Sequence, residues 1–422
     1  MRVSLVSTGD EILLGEVLDT NASYAASLLA DHGFSIGRHY TVGDNLDELI
    51  SVFKSALSEA DAVICCGGLG PTRDDITAEA AAATSAVDLV VNQDVLEDLK
   101  NKFSMLGLKW TDNQERQARI PEGAQVLSNP LGTAPGIIVQ MQPAWLFCLP
   151  GPPREYKPML AGPVLAKLIE IRNSRSDSKN TGVRMLRLFG KGEGLVENAL
   201  GDMAASIPGL SVGFRAAFPE IQIKLRAQGA TSQDVETILD QAELAAREKL
   251  GDLIFASGDT SLPAALLDLL QAKNMTLAVA ESCTGGLVGK LLTDVPGSSA
   301  TFLLSMVTYI NEMKAKLLGV TAETLEHDGA VSAACSKEMA EGVRRLSGAD
   351  ISLAITGIAG PDGGTDDKPV GTVHFAISDK TGTETKLRSF GFRNREYVRR
   401  LSAYTALALV RRRLLEPPAG AE

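Results

Sequence analysis

The sequence predicts an α/β protein in three parts: a three-layer α/β domain over residues 1–170, a small α+β module over 171–257, and a second α/β domain over 258–422. Three observations predict it. The first 170 residues alternate short apolar runs with helix-spaced runs, the pattern of a mostly parallel sheet covered on both faces. The alternation lapses after 170 and resumes near 258. Aromatic residues make up only 5% of the 422 residues while glycines number 40, which favours alanine-rich helices and glycine turns over an aromatic-rich β-sandwich.

In chain order, VSLVSTG (3–9) is an apolar strand, and DTNASYAASLLADHG (19–33) is a helix with a polar start and a glycine stop. FSIGRHYTVGD (34–44) reads as a strand, and LDELISVFKSALSEA (46–60) as a helix by the spacing of its apolar residues. DAVICCGG (61–68) is a strand ending in glycines, DDITAEAAAATSA (74–86) a helix, and WLFCLPGPP (145–153) a strand stopped by prolines. Residues 171–182 are polar, charged and aperiodic, the best linker candidate. MLRLFG, LSVGF and EIQIKLRAQG read as strands of the module and DVETILDQAELAAREKL as its helix, with no chemical signature. Beyond it, helices at 261–274, 285–295, 311–319 and 332–348 alternate with strands at 276–280, 301–309, 351–357, 371–377 and 385–392. A basic helix follows from about 395 to 415, then a frayed tail, PPAGAE.

The formal charge, −11, argues against a protein that coats DNA or RNA, because an acidic surface repels phosphate backbones. The longest apolar runs are strand-sized, far short of the ~20 residues of a membrane span. The opening MRVSLVSTGDE turns acidic at once, unlike a signal peptide. Five cysteines without a CxxC support neither a disulfide framework nor a zinc knuckle. The expectation is a cytoplasmic, reduced protein.

The sharpest N-terminal segment is GGLGPTRDDIT (67–77), between a strand end and a helix start. Gly67, Gly68 and Gly70 allow backbone N–H groups to approach a ligand, Thr72 and Thr77 add hydroxyls, and a helix N-terminus favours anions. Asp74 and Asp75 repel a phosphate unless a divalent cation bridges them. Asp10, Glu11 and Asp44 follow two other strands, and LGTAPG (131–136), with Gly132 and Thr133, is a further glycine turn. C-terminal strand ends of a parallel sheet gather on one edge, so these groups point to a metal–phosphate site.

The C-terminal signature is AESCTGGLVGK (280–290). Ser282 and Thr284 offer hydroxyls, and Gly285 and Gly286 offer N–H groups, together a cradle for a phosphate or an oxyanion. This segment has neither the GxxxxGK[ST] spacing of an NTP P-loop nor GxSxG. Cys283 reads as buried filler, since no histidine stands where it could activate a thiol. Ser299, Tyr309 and Lys314 flank the next strand; without a histidine, a lysine kept neutral is the available base for a serine. Thr356 ends a strand that enters a Gly- and Asp-rich loop containing Gly357 and Gly360. By setting alone Ser282 is the favoured nucleophile, because its strand–turn–helix resembles a nucleophile elbow.

These segments together resemble the CinA family of competence- and damage-inducible proteins over nearly the whole chain. STGDEILLGEVLDTN, TVGDN, GGLGPTRDDIT, NPLGTAPG and LPGPPREY match its N-terminal domain, which is similar to the molybdopterin-binding fold of MogA and MoaB proteins. AESCTGGL, VPGSS, VTY…K, GAVS, TGIAGP and KPVG match its C-terminal domain, which resembles nicotinamide-nucleotide amidases of the PncC type. The resemblance implies a serine–lysine amidase, with Ser299 as nucleophile, Lys314 as base and Tyr309 as its partner. Ser282 and Thr356 then line the site, so the resemblance moves the nucleophile away from Ser282. It also implies hydrolysis of pyrophosphates such as ADP-ribose in the N-terminal domain. Asp44 and Asp75 match functional aspartates of the molybdopterin-binding relatives, and Asp74 joins them as a metal-ligand candidate. A homodimer is implied as well. Leu304, Ser305 and Ile310 depart from the family pattern and put substrate fit near Tyr309 in question.

The expected function is a bifunctional pyridine-nucleotide salvage enzyme. It would deamidate nicotinamide mononucleotide without a cofactor and hydrolyse ADP-ribose-like pyrophosphates with a divalent metal such as magnesium. The alternative is a nucleotide-binding scaffold in competence or recombination with a RecA-type partner. Neither reading calls for a membrane or for direct nucleic-acid binding.

Overall fold

The parallel sheet expected at the N-terminus is present. The computed structural model describes residues 1–107, 109–174, 180–391 and 394–416. The chain divides into two units, Met1–Val183 with Gln228–Val235, and Arg184–Ala227 with Glu236–Glu422.

In the first unit, β1 (Arg2–Thr8), β2 (Ser35–Val42), β3 (Ala62–Cys66), β6 (Gln125–Leu127), β7 (Gly136–Met141) and β8 (Ala144–Leu149) form one sheet in the order β2-β1-β3-β8-β7-β6. β2, β1, β3 and β8 run parallel. β7 pairs antiparallel with β8, and β6 pairs antiparallel with β7 at the edge. β4 (Leu89–Val91) and β5 (Arg119–Pro121) make a separate ladder. β3 is buried throughout, as a central strand with both faces covered must be. Its alternate residues feed two cores: Ala62, Ile64 and Cys66 pack with Leu29, Phe147 and Tyr156 on one face, and Val63 and Cys65 pack with Phe53, Ala80 and Leu146 on the other.

The linker expectation fails at both ends. Residues 171–173 complete the helix Leu165–Asn173, because Ile171 is buried against the core; β9 (Asn180–Leu188) already begins at 180, and 175–179 lie outside the described residues. Polar composition hid one apolar anchor.

In the second unit, β9 joins β10 (Leu210–Ala217), β11 (Glu220–Gly229) and β12 (Ile254–Ser257) in the order β10-β11-β9-β12. A five-stranded sheet follows, made of β13 (Leu277–Glu281), β14 (Phe302–Val307), β15 (Ile351–Gly357), β16 (Thr372–Asp379) and β17 (Gly382–Ser389) in the order β14-β13-β15-β16-β17. β14, β13 and β15 are parallel, whereas β16 and β17 meander back. Helix Arg395–Leu415 packs Val398, Leu407, Val410 and Leu414 on one face of this sheet, and helix Ala333–Ser347 packs Met339 and Val343 on the other. The tail from 417 lies outside the described residues. No helix among the described residues is long and apolar enough to cross a membrane.

Candidate functional sites

The parallel strands β1, β3 and β8 end together, and the residues after them line a cavity of about 520 Å³ in the first unit. Gly67 has φ +106°, and a Cβ there would lie 2.6 Å from the Thr8 carbonyl oxygen, so only glycine lets the two strand ends approach. Thr77, fully buried, donates from Oγ1 to the Gly67 carbonyl at 2.8 Å and from its backbone N–H to the Gly68 carbonyl at 3.0 Å. The turn is thereby fixed from behind. Gly67, Gly68, Gly70, Thr133, Asp44, Asp74 and Asp75 all line the cavity. Gly132 serves packing: a Cβ there would strike the buried Glu155 carboxylate.

The carboxylates are differently engaged. Asp75 Oδ2 accepts from Thr72 N–H at 2.8 Å and Thr72 Oγ1 at 2.6 Å, closing the 72–75 turn. Asp44 and Asp10 exchange backbone N–H bonds, Asp44 N to Asp10 Oδ1 at 3.1 Å and Asp10 N to Asp44 Oδ2 at 3.3 Å. Burial pushes the Asp44 carboxyl above its ordinary value, and the negative charges of Asp10, Glu11 and Asp74 push it the same way. Hydrogen bonding from Thr72 holds the exposed Asp74 below its ordinary value. Among the described residues, no three or more His, Cys, Asp or Glu side chains stand ready to hold a metal on their own.

The sequence reading missed further lining groups. Thr8 Oγ1, Asn21 Oδ1 and Gln117 Oε1 are buried without a hydrogen-bond partner, and all three residues line this cavity. Asn21 Nδ2 donates to the Gly151 carbonyl at 2.7 Å, which fixes its oxygen as the free acceptor. Nothing in a helix-spaced stretch distinguishes such an asparagine before the fold places it.

In the second unit, β13 leads into the turn 282–286 and then helix Leu287–Thr293. Gly285 (φ +58°) and Gly286 (φ +88°) make that turn. Lys314, on helix Asn311–Leu318, is only 1% exposed. Its Nζ donates to Ser282 Oγ at 3.2 Å and to the carbonyls of Thr308 (2.9 Å) and Tyr309 (3.2 Å). No carboxylate pairs with it among the described residues, and burial pulls its pKa below the ordinary lysine value. Cys283, beside Ser282, is pushed up to about 12 by burial and so stays a thiol.

The structure thus brings Ser282, Lys314 and Tyr309 together. Ser282 N–H donates to the Ile355 carbonyl, which sets Thr356 alongside; Thr356 Oγ1 donates to the Ala330 carbonyl at 2.6 Å. Ser299 stands on the exposed turn Ser298–Ala300, and the hydroxyl that Lys314 meets is that of Ser282. Thr284 Oγ1 and Thr308 Oγ1 are buried without partners. Gly357 packs closely on β16, and Gly360 (φ +82°) turns the loop beyond it. Of the departing residues, Leu304 packs against the core, Ser305 donates to the buried Glu281 carboxylate at 3.1 Å, and Ile310 is exposed. Two groups escaped the sequence reading. Arg395 Nη2 donates to the Tyr309 phenol oxygen at 2.8 Å, and Arg399 Nη2 donates to the Thr284 carbonyl at 2.7 Å. A larger cavity of about 750 Å³, lined by Phe189, Phe218, Arg388 and Tyr397, holds none of the sequence-predicted residues.

Three family models match the chain: a probable molybdopterin binding domain over 4–168, a damage-inducible protein CinA KH domain over 183–256 and a CinA C-terminal domain over 259–414. A CinA-like protein of Geobacter sulfurreducens is 43% identical over 415 residues, which is 98% of this chain and all of that protein. A putative competence-damage inducible protein of Acetivibrio thermocellus is 41% identical over 419 residues, 99% of each chain. The crystal structure of the competence/damage inducible protein CihA from Agrobacterium tumefaciens covers 37% of this chain and 94% of its own, at 38% identity and a TM-score of 0.36. With its full length matched and its domain models in order, the chain belongs to the CinA family.

Proposed function

We propose that the protein is a nicotinamide-nucleotide amidase that also hydrolyses ADP-ribose-like pyrophosphates. The observation that carries the amidase reading is Lys314: a buried amine with no acid partner among the described residues, hydrogen-bonded to the Ser282 hydroxyl. Desolvation favours its neutral form, which is the form that can take a proton. Ser299 Oγ attacks the carboxamide carbon and its proton passes to Lys314. The C–N bond breaks as Lys314 returns the proton to the departing ammonia. Water then cleaves the ester by the same route, giving nicotinate mononucleotide. Within the turn 282–286 the Ser282 and Gly285 N–H groups already donate to backbone carbonyls, so the N–H groups of Cys283, Thr284 and Gly286 would stabilise the oxyanion. A second reading makes Ser282 the nucleophile, favoured by its 3.2 Å bond to Lys314. The test is ammonia release from nicotinamide mononucleotide by the purified protein and by Ser299→Ala, Ser282→Ala and Lys314→Ala. Loss of several orders of magnitude in Ser299→Ala and Lys314→Ala supports the first reading. Loss in Ser282→Ala with Ser299→Ala largely active makes Ser282 the nucleophile.

In the first unit no three acidic side chains among the described residues converge to hold a cation, so a divalent cation would need the oxygens of a bound pyrophosphate as well. The negative charges around Asp44 would favour that cation. Asp44, Asp74 and Asp75 would hold the cation. When bound, it would offset the pyrophosphate charge and lower the pKa of an attacking water. The Gly67 N–H donates to the Leu149 carbonyl, so the N–H groups of residues 68–70 would receive the phosphates.

A further inference from the structure

The cavity of about 750 Å³ lies wholly within the second unit, and neither proposed reaction uses it. It follows one side of helix Arg395–Leu415, where Tyr397, Leu401, Thr405, Ala408 and Arg412 recur at intervals of three or four residues. At about 1.5 Å of rise per residue, that stripe runs roughly 22 Å. The volume falls in the roughly 300–1,000 Å³ of ligand sites. Drawn out over this length, it is a groove for an extended molecule.

The wall is apolar: Phe189, Ile221, Phe255, Leu262, Leu401 and Leu409 line it. Its buried carboxylate, Glu220, is compensated by Arg187, whose Nε donates to it at 2.9 Å. At one end the Phe218 and Tyr397 rings stack with centroids 4.4 Å apart, and the Arg400 guanidinium lies over Phe218 at 5.6 Å. The Phe218 ring is thus already engaged by a ring and a cation, which disfavours a nucleobase stacked on it and leaves aliphatic contact as the better fit.

The other end is cationic. Arg411 and Arg412 stand near the close of the helix, and Lys191 follows Phe189, whose N–H donates to the Leu253 carbonyl beside Asp252. Arg411 is half-buried and donates to the carbonyls of Asp252 (Nη1, 2.8 Å) and Ile254 (Nη2, 3.5 Å), both neutral. Among the described residues, neither Lys191 nor Arg411 makes an ion pair. Burial pulls the pKa of Arg411 below the ordinary arginine value, and an anion beside it would offset that lost hydration. Arg412 shares its charge with Glu416 at 3.5 Å. The Asp252 carboxylate and the helix C-terminus, with about half a negative charge, offset part of the remainder and leave this end positive.

We propose that the groove binds a single-chain carboxylate amphiphile such as a fatty acid, with its head at Lys191 and Arg411 and its chain laid along Leu409 and Leu401 toward Tyr397. An apolar body excludes water from the wall, and the carboxylate gives the half-buried guanidinium the acid it lacks. The site depends on neither the amidase nor the pyrophosphate reading.

The test is calorimetric titration of the full chain with decanoate, dodecanoate and tetradecanoate below their micelle concentrations, and with 1-decanol and 1-dodecanol as uncharged controls. Affinity for one chain per protein should rise about 4-fold per added methylene. Each alcohol should bind about 10-fold more weakly than the acid of equal length. Lys191→Glu, on the exposed rim, should weaken the acids about 10-fold and leave the alcohols unchanged. Thr405→Trp, which fills the groove, should weaken both, with thermal melts to establish that each variant is folded. Affinity independent of chain length overturns the proposal, and so do alcohols that bind as tightly as the acids. Binding that survives both variants places the chain elsewhere and also overturns it. A signal confined to micelles or to anionic phospholipid vesicles would show a lipid-surface contact and overturn the single-chain site.

Discussion

A lysine amine moved from water to a site of neutral oxygens loses hydration and gains no counter-ion. Lys314 is in that position, and the result is an amine whose proton is loosely held. Its folded pKa lies below the unfolded value of 10.5, so the neutral base fraction grows as pH rises through that lowered value. We expect kcat for amide cleavage to climb with pH below 10.5 and to level off once Lys314 is neutral. A rate that falls as pH rises toward 10.5 would count against Lys314 as the base. Lys314→Arg should be nearly inactive at every pH, because a guanidinium keeps its proton. Measured turnover close to wild type in that variant would show that only charge is needed there.

At the scale of elements, close approach of helices places Lys314. Gly342 lies inside helix Ala333–Ser347, and a Cβ there would collide with the Leu318 carbonyl at the end of the helix that carries Lys314. Gly342→Ala should cost about 1–3 kcal/mol of stability by overpacking. It should also lower turnover by displacing Lys314, as read from a denaturant titration beside an ammonia assay. A second tie joins β16 to helix Arg395–Leu415. Arg413 donates to Asp379 from Nε at 2.7 Å and from Nη2 at 3.2 Å, and Thr381 donates from N–H and Oγ1. Partial burial opposes ionisation of Asp379, but the bonds from Arg413 and Thr381 prevail and hold it well below the usual carboxylate range. A depressed folded pKa gives stability that is present above the unfolded value near 4 and is lost as pH falls through the folded one. Asp379→Asn should therefore destabilise by about 1–3 kcal/mol at pH 7. The difference in melting temperature from wild type should shrink below pH 4; a constant difference down to pH 2 would refute the linkage.

At the scale of the whole molecule, the two proposed chemistries reside in different units. Asp75→Asn and excess chelator should each stop ADP-ribose hydrolysis while ammonia release from nicotinamide mononucleotide continues unchanged. Hydrolysis that survives the chelator would remove the metal from the N-terminal reading. The same scale explains what the sequence disclosed. Strand–turn–helix junctions such as Gly67–Gly68 and Ser282–Gly286 were legible because glycine clusters after an apolar run have few other uses. The antiparallel edge β6–β7 was not, since short strands without a turn signature look like loop. Gln117, Arg395 and Arg399 were invisible as site groups because each sits on an ordinary helix or turn far along the chain from the motif it serves, and Asn21, although it ends the segment STGDEILLGEVLDTN, reads as part of an ordinary helix start. Only the packed fold supplies that adjacency.

The helix that begins at Arg395 holds the loops of Thr284, Tyr309 and Gly360, and all three precede it in the chain. During synthesis each recognisable motif therefore leaves the ribosome before the latch that joins them, at roughly 5–20 residues per second. A message broken upstream of codon 395 would encode every segment that matches the family's C-terminal domain and still yield a protein without the arginines that hold these loops. For a chain of this kind, the presence of the motifs in a translated fragment is no measure of competence to react.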